Sequence, residues 1–430
     1  FDSASAERTL TNHFNVATLD AFGAFSRLEI AAAGALIDYV QLTQVGRMPA
    51  IQPPRLIESG AAMLIDAATR TNLELTRTTS GNVKGSLLDT IDRTVTGPGG
   101  RLLAAHLSAP LTCPKAINER LDAVSHFHGL PDLAATIRTE LRAAPDMKRA
   151  LARLSLDRGT PRDLGAIHAG LVRAQALHAL LKDGPGLTGA PDLVAGWRTT
   201  LDYDDDGLSQ RLGDTLAAEL PLQKRDGGFV RPGFSAELDE HRRLRDDARK
   251  VIAGLQQQYA GATGIKTLKV KHNNVLGYFV EVTQQNAGAL TSEPHSDTFI
   301  HRQTMANAMR FTTTELADLE SRISMAAERA VALELDIFEQ LAGEICAAAS
   351  LVSAIADAIA ALDLTTALAE LANRERYTRP VVDDSRAFAI TGGRHPVVEA
   401  ALASGQTGGF IPNDCALGAD DDGQHIWVLT

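Results

Sequence analysis

Along most of the chain, leucine and alanine recur at steps of three and four while glycine and proline gather between the stripes, a pattern that predicts a mainly helical protein. Breaks fall at Gly97-Pro98-Gly99-Gly100, Gly184-Pro185-Gly186, Asp226-Gly227-Gly228, Pro232-Gly233 and Gly408-Gly409. The longest stripe passes through Leu316, Leu319, Ile323, Ala326, Ala330, Leu333, Ile337, Leu341 and Ile345, all on one helix face. Thr312 and Glu315 have capping-box spacing and mark its start. From 315 to 346 such a helix is roughly 48 Å long, a strut rather than an average globular helix. A second helix, from 236 to about 258, carries Leu238, Leu244, Val251 and Leu255 on its apolar side.

Between the two struts the period changes from helix to strand. In Lys266-Thr267-Leu268-Lys269-Val270-Lys271-His272 the apolar positions alternate with polar and cationic ones, giving one face of each kind. Asn273-Asn274 supplies a turn, and the β-branched and aromatic run from Gly277 to Thr283 supplies a returning strand. Near the C-terminus, Phe388-Ala389-Ile390 and the run from His425 to Leu429 are expected strands, separated by a polar, glycine-containing segment over 414–424.

At 430 residues the chain is expected to hold two or three domains, and 44% hydrophobic with 22% charged residues is ordinary for a soluble globular protein. No uninterrupted apolar run is long enough to cross a bilayer, so no membrane role is expected. Cys113, Cys346 and Cys415 are too scattered for a zinc site or a disulfide framework, which fits a reducing cytoplasm. The first residue is Phe, so a piece of a longer protein is expected. Net charge is −11, which argues against a protein that coats nucleic acid over its whole surface. From 265 to 310, however, five cations face three carboxylates; this segment carries +2 and the remainder −13. A confined cationic insertion is what a local phosphate contact requires. The runs Asp204-Asp205-Asp206, Asp383-Asp384 and Asp420-Asp421-Asp422 lack calcium-loop spacing and are expected to be solvated, so no metal site is assigned. No catalytic nucleophile or acid–base constellation stands out.

Short runs in a fixed order then carry a resemblance. They are Asn12-His13-Phe14 with Leu19-Asp20-Ala21-Phe22-Gly23, the segment from Ile65 to Glu74, Ser86-Leu87-Leu88-Asp89, and the segment from Thr94 to Leu103. Arg120-Leu121-Asp122-Ala123-Val124, Thr263-Gly264-Ile265-Lys266, the run from Gly277 to Val282, Arg302-Gln303-Thr304 with Asn307, the run from Gly393 to Glu399, and Phe410-Ile411-Pro412-Asn413 follow. Together they resemble the MutS family of DNA mismatch-repair proteins over nearly the whole chain. His106 stands where many members have Trp, and Ala306 where some have a lysine.

The resemblance implies a mainly α fold: a helical core with long lever helices, a small inserted β-rich clamp, and the first strands of an α/β ATPase domain. The implied limits are 1–20 for the end of a connector domain, 21–250 and 308–385 for core and lever, 251–307 for the DNA clamp, and 386–430 for the ATPase start. Lys266, Lys269, Lys271, Asn273, Asn274, Arg302, Gln303, Thr304, Asn307 and Arg310 are the implied contacts to duplex DNA, as point charges, forks and neutral hydrogen bonds to phosphate. Phe410, Ile411 and Asn413 are the implied adenine contacts. ATP and Mg2+ serve the intact protein, a DNA-dependent ATPase that acts as a homodimer with downstream mismatch-repair proteins. No Gly-x-x-x-x-Gly-Lys-Ser/Thr run is present, so this chain is expected to hold nucleotide poorly and to hydrolyse none. The reading from another class is a helical scaffold without DNA binding, for which the acidic total charge speaks.

Overall fold

The computed structural model describes residues 2–44, 48–56, 62–184, 189–273, 275–404 and 409–417. Helices come first: α1 (Ser3–Phe14), α2 (Arg27–Thr43), α3 (Ala67–Asn72), α4 (Leu87–Ile91), α5 (Gly97–Ser108), α6 (Pro114–His128), α7 (Pro131–Arg142) and α8 (Met147–Ser155). They continue as α9 (Pro161–Asp183), α10 (Asp192–Leu201), α11 (Leu208–Thr215) and α12 (Ala236–Thr263). Strands β1 (Lys269–Asn273) and β2 (Gly277–Thr283), helix α13 (Gln284–Thr291), and strands β3 (Ile300–Thr304) and β4 (Ala308–Thr312) follow. Then come α14 (Thr314–Ala347), α15 (Ala349–Glu375), β5 (Phe388–Gly393), α16 (Pro396–Ser404) and β6 (Asn413–Leu417). The chain divides into two compact units, one of Phe1–Gly159, Ala166–Ser209 and Glu344–Thr430, the other of Thr160–Gly165 and Gln210–Gly343.

The first unit is organised around α15, which packs against α5, α6, α7, α8 and α10. Its length and apolarity would suit a membrane span, but 72% of its most apolar window is buried in the protein, as expected of a core helix. Asp363 interrupts it and is fully buried. Its oxygens accept from Val95 N at 2.9 Å, Thr96 N at 2.8 Å and Thr96 Oγ1 at 2.6 Å. Thr96 in turn caps α5 by accepting from Gly99 N at 3.0 Å. A Cβ on Gly99 would lie 2.2 Å from the Asp363 carboxylate, so the glycine permits this approach. The Gly97-Pro98-Gly99-Gly100 run, expected as a break between helical blocks, is the first turn of α5. In α1 and α2 a similar approach brings Gly34 against Ala6, where a Cβ would stand 2.4 Å from the alanine methyl. At the other end of this unit β5 and β6 pair antiparallel. The segment read as a polar spacer from 414 onward therefore begins as a strand, and the strand expected at 425–429 lies outside the described residues.

In the second unit α12 and α14 run antiparallel, since Tyr259 meets Thr313 while Arg242 meets Glu334. The cap of α14 is Thr313 rather than Thr312: its hydroxyl accepts from Leu316 N at 3.0 Å, while Thr312 ends β4. Glu315 has a different task, accepting from the Tyr259 hydroxyl at 3.3 Å. Burial, opposed by the Thr313 contact, raises the Tyr259 phenol. The apolar seam of α14 holds at Leu316, Leu319, Ile323, Ala326 and Ala330, then passes to Glu334 and Phe338 in place of Leu333 and Ile337. The seam rejoins the expected positions at Leu341 and Ile345, so only the order of steps of three and four between Ala330 and Leu341 differs. Buried Glu334 accepts from Gly228 N at 2.9 Å, Phe229 N at 3.1 Å and Arg242 at 2.8 Å, which fastens the loop before α12 to both long helices. On α12, Leu238 and Leu255 are buried as expected, but Leu244 and Val251 are exposed, and Ile252 and Tyr259 take their place. The aspartates at 204–206 lie in the approach to α11, where Asp205 accepts from Gly207 N and Ser209 N.

Candidate nucleic-acid interface

Strands β1 to β4 form one antiparallel sheet in the order β1-β2-β4-β3, held between the C-terminal end of α12 and the start of α14. Because side chains alternate, register decides which residues share a face. Val280, Val282 and Phe311 point into a core with Ile252, Leu255 and Tyr259 of α12 and Leu316, Leu319 and Ile323 of α14. On the other face Lys269 pairs across with Glu281, Glu281 with Arg310 and Arg310 with Gln303, one row spanning all four strands. Lys271 stands in the next row, opposite Phe279.

Glu281 sits in the middle of that polar face. Its Oε1 accepts from Lys271 Nζ at 2.6 Å and its Oε2 from Arg310 Nε at 3.1 Å. Arg310 also donates to Gln303 Oε1 at 3.0 Å, and its guanidinium covers the Phe279 ring, 4.6 Å from the centroid. The hydrogen bond from Lys271 holds the Glu281 carboxyl below the usual carboxylate range, partly opposed by burial and reinforced by Arg310. Linear sequence reasoning missed Glu281 and Phe279. Their signal was there as period-two spacing in β2, but only register shows which side chains they meet.

The other expected contacts take varied positions. Lys266, Lys269, Arg302 and Asn307 are exposed, and among the described residues their side chains have no polar partner. Arg302 lies at an irregularity between β3 and β4, where the pairing shifts between His301 and Gln303. Thr304 pairs with His301 Nε2 at 3.0 Å. Asn273 shapes the hairpin, its Oδ1 accepting from Val275 N at 3.0 Å and Leu276 N at 2.8 Å, which leaves its amide hydrogens free to donate. Asn274 lies outside the described residues. Gly277 returns the chain into β2 with φ +66°, and Glu320 of α14 accepts from Tyr278 N at 3.2 Å, which ties the hairpin to the long helix.

Of the expected adenine contacts, Phe410 is half-buried and Ile411 is exposed just before β6, while Asn413 opens that strand and donates to the Ile411 carbonyl at 3.3 Å. These three residues provide no phosphate cradle. His395 has a local role, its Nδ1 accepting from Val398 N at 3.4 Å at the start of α16.

Two long antiparallel helices that carry a small antiparallel sheet, with an apolar face on the helices and a charged face away from them, define a mainly α protein with an inserted β unit. Two family models match it: MutS domain III over residues 68–369 and MutS domain II over residues 1–52. The chain is 53% identical over 436 residues to the DNA mismatch repair protein MutS of Rhizobium meliloti (strain 1021). It is 54% identical over 435 residues to the protein of the same name from Rhodopseudomonas palustris (strain HaA2). Each alignment covers 100% of this chain and 47% of the relative, so the chain spans about half the length of the curated relatives it matches. The chain belongs to the MutS family.

Proposed function

We propose that this chain is the gripping and lever portion of a DNA mismatch-repair protein, and that the cationic face of the β1–β4 sheet touches the sugar–phosphate backbone of duplex DNA. The observation that carries the reading is the exposure of Lys269 and Lys271 on the face turned away from the helical core. Lys269 and Lys266 approach phosphate as free point charges, Arg302 and Gln303 from the outer strand, and Asn273 and Asn307 as neutral donors. Such contacts bind without reading sequence and release counterions.

In the intact protein, residues 1–20 end a connector domain, 21–250 and 308–385 form core and levers, 251–307 form the clamp, and 386–430 begin the ATPase domain. ATP with Mg2+ supplies the phosphoryl-transfer chemistry there, and Phe410, Ile411 and Asn413 hold the adenine. The whole protein acts as a cytoplasmic homodimer that recruits downstream mismatch-repair proteins. The stiffness of α14, whose 34 residues extend about 50 Å, suits it to carry movement from one end to the other.

A salt titration tests the DNA reading. The chain binds a short labelled duplex with a log–log salt dependence, and K269A/K271A reduces that slope by up to about 0.9 per lost contact. An unchanged slope removes these lysines from the interface, and no salt-sensitive binding at all returns the chain to a helical scaffold.

A further inference from the structure

We propose that Glu281 competes with DNA phosphate for Lys271, so that this lysine reaches the duplex only by leaving its carboxylate. The inference rests on the clamp reading and adds a residue that sets the strength of the grip. On the row Lys269–Glu281–Arg310–Gln303, the one carboxylate lies among the cations that would meet DNA. Both of its oxygens are engaged, by Lys271 at 2.6 Å and Arg310 at 3.1 Å.

The two cations are held differently. Arg310 is 20% exposed and fixed from three directions, by Glu281, Gln303 and the Phe279 ring. Its planar fork keeps that arrangement. Lys271 is 49% exposed, and among the described residues Glu281 is the one partner of its ammonium, at the end of a flexible four-carbon stem. Glu281 itself is only 18% exposed, so it cannot follow the lysine outward. An arriving phosphate therefore exchanges with Glu281 for Lys271 while Arg310 stays in place. The net gain is the difference between two charge-assisted contacts rather than a whole one.

E281Q keeps the side-chain length and an oxygen that can accept, but removes the competing charge. Expected is a several-fold tighter complex with a short duplex at fixed low salt and a nearly unchanged log–log slope, since Lys271 meets phosphate with or without the Glu281 charge. E293Q makes the same change of net charge in the loop between α13 and β3, and should leave affinity within about twofold if position rather than total charge matters. In E281Q/K271A the gain should vanish. The inference is overturned if E281Q binds no more tightly, if E293Q matches it, or if the gain survives K271A.

A readout on the unaltered chain does not depend on how the variants fold. With isotope-labelled methyl groups placed on the lysine amines, the Lys271 resonance, assigned through K271A, must move when duplex is added, and a stationary signal contradicts the exchange. Lack of salt-sensitive binding by the unaltered chain sinks the clamp reading and this inference with it. Binding by the unaltered chain without a gain in E281Q sinks this inference alone.

Discussion

Asp363→Asn is nearly isosteric, and the structure says where it hurts. Asp363 Oδ2 accepts from both the backbone nitrogen and the hydroxyl of Thr96, while Oδ1 accepts from Val95 N. An amide has one oxygen to offer. If that oxygen takes the Oδ1 place, the new NH2 faces both Thr96 donors, and if it takes the Oδ2 place, Val95 N keeps only its longer contact of 3.2 Å while the NH2 faces it from the nearer side. A buried donor left without a partner costs about 1–3 kcal/mol. The Thr96 hydroxyl can rotate, which relieves part of one loss, so the expected destabilisation is about 2–4 kcal/mol, a large share of the ~5–15 kcal/mol that holds a domain together. In thermal unfolding monitored by calorimetry, the transition containing α5 and α15 should fall by about 5–10 °C. Thr96→Val in the Asp363→Asn background should then add little, because the two residues share the same bonds. A fall below about 2 °C, or full additivity of the pair, would refute the account in which this carboxylate organises the start of α5.

Glu334→Ala leaves Gly228 N and Phe229 N without their acceptor and Arg242 with only the Val230 carbonyl and Asp239, and should cost about 3–5 kcal/mol, with protease cutting near 227–229 as a second readout; a loss under about 1 kcal/mol contradicts the bracing role. His106 is pushed down to about 4, by burial and then by Arg120, so between that value and the ordinary 6.5 the unfolded chain takes up a proton that the folded chain refuses. Stability should therefore fall as pH drops through this window, by roughly 1–2 kcal/mol once partial exposure is discounted, and His106→Phe should flatten that part of the pH profile. The sign is the same for Glu281 in a more acid window: its lowered folded value adds stability above the ordinary 4.5 that is lost as pH falls through the folded value; E281Q should remove that acid-side dependence in a denaturant titration against pH. Gly277→Ala forces a side chain into φ +66° with a Cβ 3.0 Å from Glu320, and should cost roughly 1–2 kcal/mol in thermal unfolding; a neutral result contradicts strain at that turn.

The sequence legibly carried whatever repeats locally. The stripe from Leu316 to Ala330 and the alternation around Val280 place α14 and β2 because each buries one face against a continuous core. Between Ala330 and Leu341 the buried position falls on Glu334, which reads as a surface glutamate until the loop at 228–229 brings its amide donors to it. Strand β3 shows no apolar alternation because all five of its residues are exposed, so nothing local distinguishes it from a loop. Lys269 and Lys271 were legible as a cationic face. Their different surroundings were not, since the Lys271 partner is set by strand register, just as Asp363 meets Thr96 from 267 residues away.

Among the described residues the sheet has two outer strands, β1 and β3, and the β1 border is met in part by α12, where Val270 N donates to Gln256 Oε1 at 2.9 Å. The stretches of edge left open invite a strand from another molecule, and lysines or an irregularity discourage it. Lys269 and Lys271 lie on one border and the Arg302 irregularity on the other, so the charges that suit a polyanion also keep copies of the protein from stitching together. Variants that swap these lysines for valine would invite aggregation that looks like lost affinity, whereas glutamine at the same places would keep the border polar and the binding measurement clean.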